Sequence, residues 1–545
     1  MRQPDSQSRI SRRTLIRGAG LGAAALGTGA AGLDHLLRPG PAGAAGVGPT
    51  TLVVAQQTSV QTFDPNIVYD NTVAITRGVY ESLVTLKGGT AQVVPGLATS
   101  WQSTPDAKHW TFKLRSGVKF HDGTAFTSAA VKSTVERLIK INRGMGYAYK
   151  GVVDTIDTPD PLTVRFNLTG PDASFLAKLA AVSGALMVSP AAIAAHTSGT
   201  DMGQGWLAAN DAGTGPYRIA SYDKGAGQVV LSTFPDYWGG WQGNHVRTVI
   251  FKITPEASTQ RLMLERGDAD VLTVVAPDII DALAKESGIK VASFQTQRIF
   301  YIAMHCQRAP LNDVKIRQAL SYAFDYEGAK SLIFNGNLAP LYGPLPQSDP
   351  SHLSASDKSY KFDMAKAKQL LSESSKPTGG FSLSLFVFQG DPTFQKAAEI
   401  LQNSLKTLNI TLNIQSMTSS VLLEKAGKPE TAPDLLPVRN YPDYADPYSM
   451  LDATFGKDAW GSAGWNFSFY SNDKVEQYVK QAGEITDQAK RVTLFRDAQK
   501  IVVNEAGAIF IGTLINRVPM RANVQGYSYN PWLGNTFDVY GISKS

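Results

Sequence analysis

Apolar and polar residues alternate along this chain with two different periods, and each change of period marks an element. From Trp110 to Phe120 the period is two. Trp110, Phe112 and Leu114 alternate with Thr111, Lys113 and Arg115, and Val118 and Phe120 resume the alternation after Ser116-Gly117. That spacing predicts two half-buried strands joined by a tight turn. Asp122-Gly123 breaks the sheet, Thr127 can cap a helix, and Val131, Val135 and Leu138 then recur at helical spacing up to Lys140. Further strands are expected at 52–55, 249–253, 300–304 and 508–511, all short apolar runs. The stretches 152–157 and 162–168 alternate around Thr158-Pro159-Asp160-Pro161 and predict a hairpin with a proline-stiffened connection. Helical spacing returns at 259–264, closed by Gly267, a residue suited to the left-handed conformation that ends a helix, and again at 316–325, 363–371 and 492–502. Phe381 to Phe388, Ala397 to Leu408 and Ile410 to Ile414 read strand, helix, strand, a βαβ crossover that implies a mixed sheet with covering helices.

Composition sets the scale. With 545 residues, 43% hydrophobic and 18% charged, the chain is too long for one core, and two or three domains are expected. Cys306 is the lone cysteine, and the seven histidines show no H-E-x-x-H pairing, so neither a disulfide framework nor a zinc motif is indicated.

The first 44 residues change the charge picture. Ser11-Arg12-Arg13-Thr14-Leu15-Ile16 resembles a twin-arginine export signal; an uncharged Gly/Ala-rich run follows from Gly18 to Leu33, and Ala42-Gly43-Ala44 offers an A-x-A cleavage site. An uncleaved amphipathic anchor is the alternative, but small residues make a weak membrane face. Cutting after Ala44 turns the formal +6 into a near-neutral balance of 46 basic against 44 acidic residues, which argues against nucleic acid as a partner. The address expected is the periplasm.

The string W-T-F-K-L-R-S-G-V-K-F-H-D-G-T-A-F-T, from Trp110 to Thr127, closely resembles the hallmark of the large extracytoplasmic solute-binding proteins of ABC importers, the dipeptide- and oligopeptide-binding family 5. Thr62-Phe63-Asp64-Pro65, Val79 to Val84, Gly213-Thr214-Gly215-Pro216-Tyr217, Tyr237-Trp238-Gly239-Gly240, Glu265 to Val271 and Ile316 to Asp325 are similar to further stretches of that family. The resemblance implies a mixed α/β (α+β), two-lobed periplasmic-binding-protein fold of three domains, one of them discontinuous. Residues 1–44 would be the signal, 45–76 with 207–279 and 509–545 domain I, 77–206 domain II, and 280–508 domain III, the second lobe. Connections that leave a domain and return can serve as a hinge.

The ligand loop expected runs from Val438 to Tyr448, with three tyrosines and two aspartates around two prolines and little helix or strand character. In peptide binders of the family, the first Asp of a D-x-x-[DE]-P string pairs with the ligand's α-ammonium group; the matching residue is Asp443, and Asp446-Pro447 completes the string. Tyr441 and Tyr444 flank it, and the loop after Asp64-Pro65, with Tyr69, Asp70 and Asn71, would line the same cleft. The chain departs from the family's Gly-Trp at Arg439-Asn440; Arg439 either meets a ligand carboxylate or points to water. The resemblance further implies a monomeric receptor with no cofactor and no catalysis, handing a peptide or small solute to a separate ABC permease; no nucleotide motif is present. The alternatives are a non-peptide cargo, such as an amino-acid conjugate or other cationic solute, and a secreted serine hydrolase using the S-x-x-K spacing of Ser471 and Lys474, which lacks the accompanying S-D-N and K-T-G.

Overall fold

The computed structural model describes residues 48 and 50–545, apart from 69–71, 274, 358–359, 462–463 and 535. The expected export signal, and Tyr69, Asp70 and Asn71, lie outside the described residues.

One mixed sheet of eleven strands organises the chain. Its order runs Ile410–Met417, Phe381–Phe388, Leu435–Asn440, Ile289–Met304, Ala508–Arg521, Val271–Leu272, Thr51–Gln56, Thr248–Ile253, Gln228–Thr233 and Tyr217–Asp223, with Leu338–Ala339 added to the side of Ala508–Arg521. Phe381–Phe388 and Ile410–Met417 are parallel and joined through helix Pro392–Lys406, the crossover that their periods predict. A separate four-stranded antiparallel sheet, Ala98–Ser103, His109–Leu114, Thr163–Leu168 and Val153–Asp160, packs under helix Ser128–Ile141. Phe112, Phe120, Phe166, Phe175, Val131, Val135 and Leu138 fill the core between them. The described residues form one compact unit, in which three groups of elements, called bodies below, differ in their sheets and cores. The first gathers strands from near residue 51, from 217–272 and from the end of the chain; the second is the four-stranded unit; the third carries the rest of the large sheet, with an apolar layer on each face.

Three local expectations need correction. Val118 to Phe120 forms no ladder strand, only a bridge between Lys119 and Ala125, because left-handed Gly117 and Gly123 fold the chain through consecutive turns. The strand Val153–Asp160 runs through Thr158-Pro159-Asp160, and the turn falls at Pro161-Leu162. Val438, Arg439 and Asn440 are strand rather than loop: Leu435–Asn440 pairs antiparallel with Ile299–Met304, setting Arg439 opposite Phe300, so the irregular stretch shrinks to 441–446 before helix Pro447–Phe455.

Two long antiparallel strands, Ile289–Met304 and Ala508–Arg521, connect the first body to the third. Ile289 to Gln295 pair with Ile515 to Arg521 beside the first core, whereas Ile299 to Ala303 pair with Ala508 to Thr513 inside the third. The register slips between Gln295 and Ile299. Thr296 Oγ1 bridges the irregularity, donating to the Leu514 carbonyl at 2.7 Å and accepting from the Arg298 N–H at 3.0 Å.

The glycines of Gly213-Thr214-Gly215 are required sterically: a Cβ at either would lie 2.0 or 2.7 Å from the Val79 carbonyl oxygen. His121 fastens the second body to this crossing, with Nδ1 on Asp211 and Nε2 donating to the Gly215 carbonyl at 2.9 Å. No helix among the described residues is long and apolar enough to cross a membrane.

Candidate functional site

The Asp64-Pro65 turn is a fixed point on one side of the cleft. Asp64 is fully buried and accepts from both terminal nitrogens of Arg137, at 2.9 and 2.6 Å, while Arg137 also reaches Asn66 Oδ1 at 2.7 Å and the Met202 carbonyl at 2.9 Å. A buried carboxylate left alone would cost several kcal/mol, and this guanidinium satisfies it from helix Ser128–Ile141. The helix closes on left-handed Asn142, and Gly144 (φ +52°) follows with its Cα against the Asn66 carbonyl, where a Cβ would sit at 3.2 Å. Helix, turn and the single 3₁₀ turn Gly144–Ala148 therefore form one block, and that block carries Tyr147.

The Tyr147 hydroxyl donates to Asp443 Oδ2 on the third body. The backbone of Asp443 is held independently, its N–H donating to Ser449 Oγ at 2.9 Å. Three residues on, Asp446 has a different environment. It is buried, caps helix Pro447–Phe455 by accepting from the Tyr448 N–H at 3.0 Å, and takes both carboxylate oxygens to Arg491 Nη2 at 2.8 and 2.7 Å. The D-x-x-D-P string thus has one aspartate inside the protein and one at the meeting of two bodies.

The remaining expected residues divide similarly. Tyr441 is 38% exposed, and the Arg298 guanidinium lies 5.3 Å from its ring centroid. Burial pushes the Tyr441 phenol up, Arg298 pulls it down and Asp443 raises it again, so both charges reach this one ring. Tyr444 is buried against the core of the second body together with Trp532, with Lys178 Nζ 5.5 Å from its centroid. Arg439 extends from its strand over the Phe394 ring, at 4.5 Å, and pairs through Nη2 with Asp391, the cap of helix Pro392–Lys406; its Nε is buried with no hydrogen-bond partner among the described residues. Burial lowers its pKa, and Asp391 works against that shift. The structure therefore brings Asp443, Tyr441 and Tyr444 to the interbody region and shows the charge of Arg439 already matched. A cavity of about 550 Å³ opens beside Ala445-Asp446, bounded by Ala173 and Ala177 of the second body, Ser351 and Arg491 of the third, and Trp532.

Sequence reading missed Tyr147 and Arg298. The aromatic preceded by Gly144 and Gly146, and the polar run Gln295-Thr296-Gln297-Arg298 ahead of an apolar strand, were the signals available. Ser471 and Lys474 are both exposed at the start of helix Asp473–Glu484, and no hydrogen bond joins them among the described residues; Lys474 N–H donates to the capping Asn472 instead.

The model of the bacterial extracellular solute-binding proteins, family 5, matches residues 92–462. The probable D,D-dipeptide-binding periplasmic protein DdpA of Escherichia coli K12 is 34% identical over 511 residues, covering 92% of this chain and 96% of that protein. Heme-binding protein A of Haemophilus influenzae is 26% identical over 508 residues, covering 88% and 90%. Among solved structures, the ABC transporter-associated periplasmic binding protein DppA of Helicobacter pylori, in complex with the peptide STSA, superposes with a TM-score of 0.75 at 25% identity, covering 91% of this chain and 98% of that one. The matched residues 92–462 include the four-stranded sheet, strand Ile289–Met304 and the aspartate string, and the chain belongs to family 5 of the bacterial extracellular solute-binding proteins.

Proposed function

We propose that this protein captures a short peptide between its two lobes and delivers it to an ABC permease, with Asp443 taking the ligand's α-ammonium group. The observation that carries this reading is the position of the Asp443 carboxylate, on one lobe and met by Tyr147 from the other. A peptide amine enclosed there loses its hydration, and a carboxylate in reach compensates with a charge-assisted hydrogen bond of about 1.5–3 kcal/mol. Contacts made by both lobes exist only in the shut form, so ligand binding shifts the population toward closure. The names of the E. coli relative and of the H. pylori complex support a peptide cargo, and the first favours a dipeptide of D-residues. Tyr441 lines the approach, and Tyr444, buried against the core of the second body, backs it.

The receptor works without catalysis and as a monomer. Its twin arginines, Arg12 and Arg13, direct export to the periplasm, with cleavage after Ala44. A second cargo class is favoured by the heme-binding relative. Isothermal titration of the purified protein with D-alanyl-D-alanine, L-alanyl-L-alanine, a tetrapeptide and heme separates the two. Binding of a dipeptide is the expected result; binding of heme with no response to any peptide would overturn the peptide reading.

A further inference from the structure

We infer that Tyr444 is a plug by which the third body seats on the second, so that part of the free energy of closure is built into the protein and scales its affinity for every cargo alike. The inference rests on the two-lobed capture proposed above and assigns Tyr444 to closure instead of to ligand contact.

Tyr444 belongs by its backbone to one lobe and by its side chain to the other. The strand before it, Leu435–Asn440, and the helix after it, Pro447–Phe455, bury Leu436, Val438, Met450, Leu451 and Phe455 in a core of the third body. The Tyr444 ring leaves that core, is 5% exposed, and joins the one formed by Phe112, Phe166 and Phe175 of the second body, together with Trp532. Asp446, two residues on, is bonded to Arg491, so the ring is presented from an anchored backbone.

The socket is prepared by the second body alone. Lys178, on helix Phe175–Ala180, lies with Nζ 5.5 Å from the Tyr444 ring centroid. It is held there by Asp172 Oδ2 at 2.6 Å, while Asp172 Oδ1 accepts from the N–H and the hydroxyl of Ser174 at 2.9 and 2.7 Å. Lys178, Asp172 and Ser174 are all buried. An ammonium within about 6 Å of a ring centroid is attracted by the ring's quadrupole, more strongly when both are out of water.

A second contact closes beside the plug. The Ala173 N–H donates to the Gly483 carbonyl of helix Asp473–Glu484 at 2.9 Å. The last carbonyls of a helix have no partner within it, so this one is available to the other lobe. A Cβ on Gly483 would sit 2.7 Å from the Tyr448 ring, and the helix end packs this closely only with glycine.

Every group in these contacts belongs to the protein. Opening the lobes strips the Tyr444 ring of its apolar surroundings and breaks the hydrogen bond between Ala173 and Gly483, whatever the cargo. The apparent affinity of a receptor is its shut-form affinity multiplied by the fraction of molecules that are shut. A plug that raises this fraction strengthens all ligands by one common factor and leaves discrimination between them to Asp443 and its neighbours.

Solution scattering of the ligand-free protein, with titration calorimetry against D-alanyl-D-alanine, L-alanyl-L-alanine and tetra-alanine, tests the assignment. Tyr444→Ala should enlarge the ligand-free radius of gyration by about 1 Å or more. It should also weaken every probe that the wild type binds by a common factor of about ten, the ratios between probes staying within about twofold. Tyr444→Phe keeps the ring and should restore both readouts. Tyr444→Leu keeps a smaller apolar plug, should give intermediate values, and carries the test if the alanine variant fails to fold. An unchanged radius in the substituted protein overturns the plug, and so does a loss of affinity confined to one probe, which would make Tyr444 a cargo contact. A wild type that binds none of the probes overturns the peptide reading, while the scattering comparison still decides the plug.

Discussion

Asp443 and Asp446 are three residues apart in one string, yet they belong to different parts of the molecule. Asp446 is enclosed, bonded to Arg491 through both oxygens and to the first turn of a helix. Asp443 stands where two bodies meet and is reached from across the cleft by a tyrosine. The difference teaches that the string combines a scaffold and a contact. The inner aspartate fixes the direction in which Pro447–Phe455 leaves the sheet, and the Ser449 hydroxyl of that helix then holds the backbone of the outer one. The backbone of Asp443 is thereby held by the protein itself.

The sharpest way to break the comparison is to remove the inner carboxylate. Asp446→Ala leaves the buried Arg491 guanidinium without its partner, and a loss of about 3–5 kcal/mol in stability is expected. Chemical unfolding monitored by Trp fluorescence measures it; a loss below about 1 kcal/mol would show that Asp446 is not the anchor.

A second test concerns Asp349, which lies in the same electrostatic neighbourhood. Burial pushes its carboxyl up to about 7, with Asp446 adding to the shift, and its Oδ2 is buried with no hydrogen-bond partner among the described residues. The folded pKa exceeds the unfolded one of about 3.9, so the native state holds a proton that the unfolded chain has released. The associated stability is full below about pH 4 and is lost as pH rises through about 7, on the order of 2–3 kcal/mol between pH 5 and pH 8. Asp349→Asn should remove this component, flattening the urea midpoint over that range; an unchanged slope would locate the pH dependence elsewhere.

The outer carboxylate should behave in the opposite sense. Asp443→Asn is expected to weaken a ligand bearing a free amine by about 1.5–3 kcal/mol, more than tenfold, with the melting temperature of the ligand-free protein nearly unchanged. Unaltered affinity would remove Asp443 from the site, and a large fall in melting temperature would make it a second anchor.

How far the sequence foretells this arrangement depends on where the determining contacts lie. The crossover from Phe381 to Met417 is legible because its strands and helix each bury one face on the same core, so the period survives in the sequence. The crossing strands are legible only in their apolar halves, 300–304 and 508–511. Their other halves carry Lys290, Ser293, Gln295, Asn516 and Arg517 on partly exposed ladders, held by pairing between segments over 200 residues apart, and no local period records that. The site shows the same division. Asp443 is accessible through resemblance to a family string, whereas Tyr147 is brought to it by contacts of Arg137, Asp64 and Gly144, and Arg439 reads as a free cation until Asp391 is brought beside it by the start of a distant helix.

Tyr147 supplies the smallest and most discriminating test, because it sits on the scaffold side and touches the contact side. Its position follows from Arg137, Asp64 and Gly144, none of which faces the other lobe, and its hydroxyl is the group that crosses. If the hydroxyl stays on Asp443 when the lobes are shut, Tyr147→Phe removes one hydrogen bond from the closed form alone, worth about 0.5–1.5 kcal/mol, and ligand affinity falls by roughly two- to tenfold. Solution scattering of the ligand-free variant should then give a larger radius of gyration than the wild type, since the open population gains what the closed one loses. A gain in affinity would mean that the ammonium displaces the tyrosine instead, making Tyr147 a competitor for Asp443 and reversing its role.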